Sequence, residues 1–164
     1  MNAREIMTEH PVCCTPDDTA ERAARLMQEV DCGVLPVVAD RESMRLVGVV
    51  TDRDLAVRGL ARGKGPKTKV RDLMTANPQH CAPTADVREV ERVMAEWQVR
   101  RVPIVDEREC VIGVVAQADL ARAAERKTAV SEGDVARVVE RISDPARAAG
   151  GRQPQLWETA EPMD

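Results

Sequence analysis

A hydroxyl followed three positions later by a carboxylate is the residue spacing with the clearest chemical potential in this chain. Thr51 and Asp54 have it, within the stretch Gly-Val-Val-Thr-Asp-Arg-Asp that covers residues 48–54. At the start of a helix such a pair forms a capping box, in which each side chain bonds the backbone N–H of the other residue. Turned toward a ligand, the same two side chains would serve as hydrogen-bonding groups. The spacing by itself leaves both interpretations open.

A second version of this motif, Gly-Val-Val-Ala-Gln-Ala-Asp, covers residues 113–119. It keeps the acid as Asp119 but has Ala116 where the first version has the threonine hydroxyl. An acid in the first turn of a helix is favourable by roughly 0.3–1 kcal/mol, because it complements the helix dipole. The persistence of Asp119 without a capping hydroxyl nevertheless favours a role beyond capping.

Cysteine and histidine residues near equivalent points of the two halves raise the alternative of a metal or thiol switch. His10 precedes Cys13 and Cys14, and His80 precedes Cys81. No Cys-x-x-Cys pair occurs, and a buried free cysteine usually behaves as a small hydrophobic residue. An odd number of cysteines without an export signal indicates a reducing cytoplasm rather than a disulfide framework. A zinc or redox switch is therefore the less favoured hypothesis, and we expect a cytoplasmic protein.

Motifs of catalysis fail on inspection. The stretch Gly-Leu-Ala-Arg-Gly-Lys-Gly at 59–65 resembles a phosphate-binding P-loop, but only three residues separate its first two glycines. A P-loop has four residues there and a Ser or Thr where this chain has Gly65. Neither His-Glu-x-x-His nor Gly-x-Ser-x-Gly is present. We therefore expect a protein that is not an enzyme and needs no cofactor.

The composition limits the partners and the kind of core. The formal net charge of −4 argues against binding to nucleic acid, which requires lysine and arginine to neutralise phosphates. No apolar stretch is long enough to span a bilayer. With no Phe or Tyr in 164 residues, aliphatic side chains must fill the core. A small aliphatic unit buries limited area and gains from docking against a copy of itself or another chain.

The chain also repeats itself, and this self-similarity must position the motifs. Matching residues are 67 positions apart in the first part of each copy and 65 apart beyond a turn that is two residues longer in the first copy. The matches include Met7 with Met74, Cys14 with Cys81, Pro36 with Pro103, and Gly48 with Gly113. Two copies of one unit therefore account for residues 1 to about 126.

Each copy shows the same order of predicted elements. Asp18 and Asp86, each with a glutamate three residues later, indicate capped starts of helices with apolar residues at helical spacing. Two short Val- and Ile-rich stretches then predict a hairpin, and a second helix begins at Asp52 or Gln117. The unit is β-α-β-β-α, with one face of its small sheet uncovered. Two copies packed sheet to sheet would bury that face and form an α/β (α+β) fold.

The division of the chain follows from the repeat and from composition. Residues 62–67 contain glycine and proline and predict a linker, so that the first unit covers 1–65 and the second 66–128. Residues 129–164 contain a predicted third helix over about 131–143, with Val135, Val138, Val139 and Ile142 on one side. A tail with scattered acids, glycines and prolines follows from residue 146, and its composition predicts disorder.

These motifs, in this order and present twice, resemble CBS domains, which are named after cystathionine β-synthase. The pattern comprises Met-Thr, two prolines, Leu-Pro-Val-Val and Gly-Val-Val-Thr-Asp-Arg-Asp-Leu, and it covers about three quarters of the chain. Such domains normally occur as pairs called Bateman modules. The resemblance implies a disc of pseudo-two-fold symmetry with two clefts between the sheets, a homodimer of two such pairs, and binding of AMP, ADP, ATP or S-adenosylmethionine.

The resemblance assigns roles to the two motifs residue by residue. In the family, the last acid of the motif holds both ribose hydroxyls, and the Thr or Ser lies near the phosphate. This implies ribose binding by Asp54 and Asp119 and a phosphate neighbour in Thr51. A carboxylate is suited to a cis-diol because it accepts two hydrogen bonds. Since Ala116 lacks the hydroxyl, we expect the two clefts to differ.

The family resemblance also implies basic residues near the phosphate. Arg100 and Arg101 precede Val102-Pro103, where related modules often place such residues, and Arg53 is a further candidate. A guanidinium group offers a planar fork of donors that suits phosphate. As a structural alternative, Arg100 and Arg101 follow a predicted helix, where cations complement the C-terminal dipole and remain solvated.

The edges that would contact adenine are implied by the same resemblance. They comprise Thr15, Val34, Leu35, Pro36, Ala82, Val102 and Pro103. No aromatic side chain is available for stacking, so the base would lie between aliphatic groups. The favoured hypothesis is a regulatory module that senses an adenosine nucleotide and signals by conformation to an unknown protein effector. The alternatives are a ligand-free dimeric scaffold and the zinc or thiol switch.

Overall fold

The two halves of the chain form the same elements in the same order. The computed structural model describes residues 1–125 and 132–143. The first half contains α1 (Ala3–Ile6), β1 (Thr8–Glu9), α2 (Ala20–Glu29), β2 (Val34–Val38), β3 (Leu46–Thr51) and α3 (Asp52–Asp54), continued by a π-helical turn (Leu55–Gly59) and a 3-10 turn (Leu60–Arg62). The second contains a 3-10 turn (Val70–Asp72), β4 (Thr75–Ala76), α4 (Val87–Trp97), β5 (Arg101–Val105), β6 (Val111–Ala116) and α5 (Gln117–Glu125), followed by α6 (Glu132–Ser143).

The starts of the two long helices confirm one predicted cap and correct the other. Asp86 caps α4 by accepting a hydrogen bond from the backbone N–H of Arg88 at 2.9 Å. In the first half the cap is Thr19, not Asp18, because the Thr19 hydroxyl accepts from Arg22 N at 3.2 Å. The carboxylate of Asp18 is instead engaged by the backbone N–H of Thr15 at 2.7 Å. The expectation failed because two adjacent residues could both cap, and the sequence alone does not choose between them.

The two three-stranded sheets exchange their first strands. One sheet has the order β2-β3-β4 and the other β1-β6-β5. Strand β4 therefore belongs by sequence to the second repeat and by hydrogen bonding to the first, whereas β1 shows the reverse. The segments that precede β1 and β4 also bond to the other repeat. Ala3 N donates to Ala85 O, and Val70 N donates to Asp18 O, both at 2.9 Å. The exchange concerns which sheet a strand joins, so the boundaries at residues 65 and 128 stay a prediction.

The glycines of the two motifs permit this exchange. A Cβ atom at Gly48 would lie 2.7 Å from the sulfur of Met74 and 3.0 Å from the carbonyl oxygen of Thr75. At Gly113 a Cβ atom would collide with the side chain of Met7. The methionine of each repeat thus packs against bare backbone in the other repeat. Glycine is required here for close approach, because neither position has a positive φ.

The predicted fold class is confirmed. Each sheet has helices on one face and packs with its opposite face toward the other sheet. Strands β2 and β5 are buried along nearly their whole length, which requires cover on both faces. Between the repeats lies a cluster of Cys13, Val38, Val105 and Val111. The hairpin turns also meet there, since Leu46 N donates to Glu109 O at 2.9 Å. Sheet-to-sheet packing therefore buries the faces that each repeat alone would leave open.

Helix α6 packs against the second repeat. It contacts α4 and α5, with Val138 buried at 6% exposure and with Val135 and Ile142 packed against the same core. Val139, which the sequence placed on the apolar side, is 42% exposed. The tail that composition predicts to be disordered lies outside the described residues.

The close approach at Gly48 generates a prediction for stability. Gly48→Ala should lower the free energy of unfolding by about 1–3 kcal/mol, because the new methyl group would lie 2.7 Å from the Met74 sulfur and 3.0 Å from the Thr75 carbonyl oxygen and would force a shift of the packed segment. Urea denaturation followed by circular dichroism measures the change. Gly65→Ala is the matched control, since a Cβ atom there meets nothing within 4 Å. Equal stability of the two variants would show that β4 does not hold Met74 against Gly48.

Candidate functional site

The first motif forms a complete capping box at the junction of β3 and α3. The carboxylate oxygen Oδ2 of Asp54 accepts hydrogen bonds from the backbone N–H of Thr51 at 2.9 Å and from its hydroxyl at 2.8 Å. In return, the Thr51 hydroxyl oxygen accepts from Asp54 N at 3.0 Å. The structural interpretation of the motif is therefore correct. It does not exclude binding, because the second carboxylate oxygen takes no part in the box.

The second motif keeps half of the box. The Asp119 oxygen Oδ2 accepts from the backbone N–H of Ala116 at 2.8 Å, and the side chain is 8% exposed. Loss of the hydroxyl therefore removes only one of the two reciprocal bonds. The expectation that Asp119 needs a role beyond capping is weakened by this geometry, since a carboxylate that satisfies a strand-end N–H already has a structural function.

Each acid also pairs with an arginine on the following helical turn. Asp54 Oδ1 lies 3.4 Å from Arg58 Nε, and Asp119 Oδ1 accepts a hydrogen bond from Arg122 Nη1 at 3.1 Å. The Asp54 side chain is 14% exposed, so it remains within reach of a small ligand at the surface. The two motifs therefore present similar carboxylates with different cationic neighbours.

The strand register brings the start of β2 to the first motif and the start of β5 to the second. Val34 pairs with Thr51, and Arg101 pairs with Ala116. The backbone of Arg100 accepts a hydrogen bond from Gln117 N at 3.0 Å, which places both arginines beside the second motif. The predicted residues thus form two separate sets rather than one. Of the predicted arginines, Arg53 belongs to the first set, and Arg100 and Arg101 belong to the second.

The three candidate arginines have uncommitted guanidinium groups. Arg53 and Arg100 are exposed and Arg101 is half-buried. Among the residues that the structure describes, none of the three side chains forms a hydrogen bond or an ion pair. All three groups could therefore approach an anion without first breaking an existing contact.

Thr15 and Ala82 lie near the ends of β2 and β5 that are farther from the motifs. Cys14, next to Thr15, forms a parallel bridge with Val37, and Cys81, next to Ala82, does so with Ile104. At about 3.3 Å per residue, Thr15 is about 10 Å or more along β2 from the end that meets Thr51. Within one repeat, therefore, these residues do not surround a single point.

The aliphatic residues named with them are largely structural. Leu35 and Val102 are 1% and 0% exposed and lie in the two helix-facing cores. Pro36 and Pro103 are also buried. Their side chains hold the sheets together, so a ligand could use only the backbone edges here. Sequence patterns showed these positions to be apolar but not which way they point.

A cavity of about 680 Å³ lies next to the second repeat. Of the predicted ligand-contacting residues it includes only Ala82, and its wall contains both basic and acidic side chains. The charged residues of the wall are Arg4, Glu89, Asp106, Glu107, Arg108 and Glu109, and His80 also lines it. The sequence did not indicate this cavity, because its wall combines the start of the chain with the turn between β5 and β6.

Burial keeps three of the five thiols in their protonated form. Burial raises the pKa of the Cys13 and Cys81 thiols to about 11 and, together with nearby Asp18, that of Cys14 to about 12. These three groups are thus protonated at neutral pH and are poor nucleophiles. Within residues 1–125 and 132–143, no group of three or more His, Cys, Asp or Glu side chains is placed to hold a metal ion. In the same ranges, every helix is too short or too polar to cross a membrane.

Two sheets with exchanged first strands, and a capped motif at equivalent points of each, define a tandem pair of α/β domains. The sequence pattern of the CBS domain matches residues 3–59 and 70–126. The chain therefore belongs to the CBS-domain family and contains the domain twice.

Several relatives are themselves small CBS-domain proteins. The chain is 39% identical over 121 residues to Hypoxic response protein 1 of Mycobacterium tuberculosis (strain ATCC 25618 / H37Rv), covering 73% of this chain and 82% of that protein. It is 35% identical to CBS domain-containing protein YhcV of Bacillus subtilis (strain 168), covering 73% and 83%. Inosine-5'-monophosphate dehydrogenase of Korarchaeum cryptofilum is 30% identical over 72% of this chain, but the match spans only 23% of that enzyme.

Solved structures of similar proteins contain different bound groups. Hypoxic Response Protein I, with two coordinated zinc ions, aligns with a TM-score of 0.68 at 38% identity, covering 74% of this chain and 98% of that one. CBSX2 in complex with AMP aligns at 0.68 and 28% identity, covering 77% and 97%. The CBS pair of protein MJ0100, with 5-methylthioadenosine and S-adenosyl-L-methionine, aligns at 0.69 and 26%, covering 78% and 98%.

The difference between the two capping boxes predicts opposite effects of exchanging their residues. Thr51→Ala should destabilise the protein by about 0.5–2 kcal/mol, because Asp54 N loses its acceptor. Ala116→Thr should stabilise it by up to about 1 kcal/mol by completing the second box. Urea denaturation of both variants measures these changes. Loss of stability in Ala116→Thr would mean that the threonine side chain does not fit at the end of β6.

Proposed function

We propose that this protein is a regulatory module, not an enzyme, that binds an adenosine nucleotide or S-adenosylmethionine between its repeats and signals the ligand by a change of conformation. The observation that carries the proposal is the pair of carboxylates, Asp54 and Asp119, at equivalent strand ends, each with acceptor capacity that capping does not use up. A carboxylate of this kind is suited to the cis-diol of a ribose.

The surroundings of the two carboxylates support the same ligand class. The guanidinium groups of Arg53, Arg100 and Arg101 are uncommitted, and a nucleotide brings an anionic phosphate that such groups bind well. The presence of AMP in one structural neighbour and of S-adenosyl-L-methionine in another favours an adenosine-containing molecule. Thr51 offers a hydroxyl that Ala116 does not, so we expect the two clefts to differ in affinity.

Thermal denaturation with and without ligand tests the proposal. AMP, ADP, ATP and S-adenosylmethionine are each added to the wild type, to Asp54→Asn and to Asp119→Asn. At about 100 times Kd, a bound ligand adds roughly 2.7 kcal/mol of apparent stability, which is readily seen as a higher Tm. The stabilisation should weaken in at least one of the two variants. Asparagine keeps an oxygen for the cap, so loss of binding would report on the missing charge.

Asp72→Asn is the matched control, since Asp72 is exposed and lies outside both motifs. A ligand response that both motif variants retain in full would contradict the assigned site. If none of the four compounds stabilises the wild type, the hypothesis of a ligand-free scaffold replaces the sensor. Elemental analysis then tests the zinc alternative, which the zinc-containing neighbour motivates.

We further propose that the protein works as a homodimer in which the first repeat forms the contact. Helix α6 covers α4 and α5 of the second repeat. On the equivalent elements of the first repeat, Leu60 is 75% exposed, Val57 46% and Val30 42%. Exposed aliphatic side chains grouped on one side of a small domain are typical of a protein interface, and these three lie on the elements that correspond to the covered ones.

Leu60→Glu should therefore convert the dimer to a monomer, because a charge at the contact would have to be buried without a partner. Sedimentation velocity at several protein concentrations measures the change. Trp97→Glu is the control, since Trp97 is 57% exposed but lies on the second repeat. A monomeric wild type, or a Leu60→Glu variant that remains dimeric, would contradict the assigned contact.

A further inference from the structure

The two motif acids differ in how many hydrogen bonds they can still accept. A carboxylate has about four acceptor positions, two on each oxygen. Capping fills both positions on Asp54 Oδ2, which accepts from the backbone N–H and the hydroxyl of Thr51. On Asp119, each oxygen accepts one bond, from Ala116 N and from Arg122 Nη1. Each Asp119 oxygen therefore keeps one free position.

This difference decides what a diol must displace. A cis-diol brings two donors, and on Asp119 these can bridge the two oxygens without breaking an existing bond. On Asp54 both donors must go to Oδ1, the oxygen that lies 3.4 Å from Arg58 Nε. The Arg58 side chain is 42% exposed, and its contact is the longest that Asp54 makes, so it is the partner that yields most readily.

At its other end, Arg58 bonds to residues 73–75, which form the exchanged segment. Its Nη1 atom donates to the carbonyl oxygens of Leu73 at 3.0 Å and Met74 at 3.1 Å, and lies 3.3 Å from the Thr75 hydroxyl oxygen. These three residues lead from the second repeat into β4, the strand that it contributes to the first sheet. Arg58 therefore joins the Asp54 carboxylate to the exchanged segment, residues 73–75.

The same segment is coupled to the motif at a second point. Met74 packs on Gly48, which starts the motif, while Arg58 contacts the acid that ends it. A movement of Arg58 would thus act on a segment that is already held in place by the packing of Met74 on Gly48. Within residues 1–125 and 132–143, Arg122 has no such connection, since its side chain pairs with Asp119 alone and is 66% exposed.

We propose that Arg58 is a positioning residue that transmits the state of the Asp54 carboxylate to residues 73–75. A ligand diol on Asp54 displaces the guanidinium group of Arg58 and loosens this segment. A diol on Asp119 displaces no existing bond, so its binding has no effect on the segment by this route. The first step, a link from Asp54 through Arg58, is independent of any ligand. The second, its use by a nucleotide, rests on the proposed function.

Amide hydrogen exchange in the ligand-free protein tests the link. The amides of Met74 and Asn77, which donate to Val70 O and Val47 O, report on the segment and are followed by NMR. Asp54→Asn and Arg58→Gln should each raise their exchange rates roughly two- to five-fold, the size expected for one partly exposed ion pair. The double variant should exchange no faster than Arg58→Gln alone, because both changes break the same connection.

Asp119→Asn and Arg122→Gln are the matched controls and should leave both amides unchanged. A merely structural role of Arg58 would make the effects of Asp54→Asn and Arg58→Gln additive, which would overturn the proposal. Unchanged exchange in Arg58→Gln would overturn it as well. The comparison between single and double variants remains informative even if both single variants lose some global stability, because only coupled sites depart from additivity.

A second measurement uses AMP as the probe. In the wild type, saturating AMP should raise the exchange of the Met74 and Asn77 amides. In Arg58→Gln, AMP should still bind, with equal or higher affinity by calorimetry, but should cause no further change at these amides. The same AMP response in both proteins would overturn the proposed transmission. If AMP does not bind the wild type, the proposed function fails, while the ligand-free comparison still decides whether Arg58 links Asp54 to the segment.

Discussion

The reciprocal exchange of first strands is the constraint on which the rest of the fold depends. Strand β4 completes the sheet of the first repeat and β1 that of the second, so neither repeat contains all the hydrogen-bonding partners of its own sheet. The exchange is possible because Gly48 and Gly113 leave space for a methionine of the other repeat. Two units of limited size thereby bury apolar faces against each other, which a short chain with an aliphatic core needs.

The exchange also gives the motifs their position. Each motif begins at a glycine that packs against a methionine of the other repeat, and it ends in the first turn of a capped helix. Packing between the repeats and capping within one repeat therefore hold the same stretch of chain. Capping and ligand binding are therefore not alternatives at Asp54. A carboxylate whose one oxygen is held by backbone and hydroxyl donors is oriented by them, and its other oxygen is presented in a defined direction.

Pseudo-symmetry of the backbone coexists with asymmetry of the side chains. The pairing of Val34 with Thr51 is repeated by Arg101 with Ala116, yet the chemistry around the two acids differs. The first has a hydroxyl and an arginine that reaches the exchanged segment. The second has Arg100 and Arg101 beside it and a cap with one bond fewer. A duplicated fold can therefore provide one position that responds to its surroundings and another that does not.

The sequence by itself determined the duplication, the order of elements and the family, because repeated spacing and apolar periodicity are local properties. It also located Thr51, Asp54 and Asp119 at helix starts. Tertiary structure alone decided that β1 and β4 change sheets, since strand partners are chosen by long-range hydrogen bonds that leave no mark on spacing. For the same reason the contact of Arg58 with Leu73 and Met74, and the distance of Thr15 from Asp54 along β2, could be seen only in the folded chain.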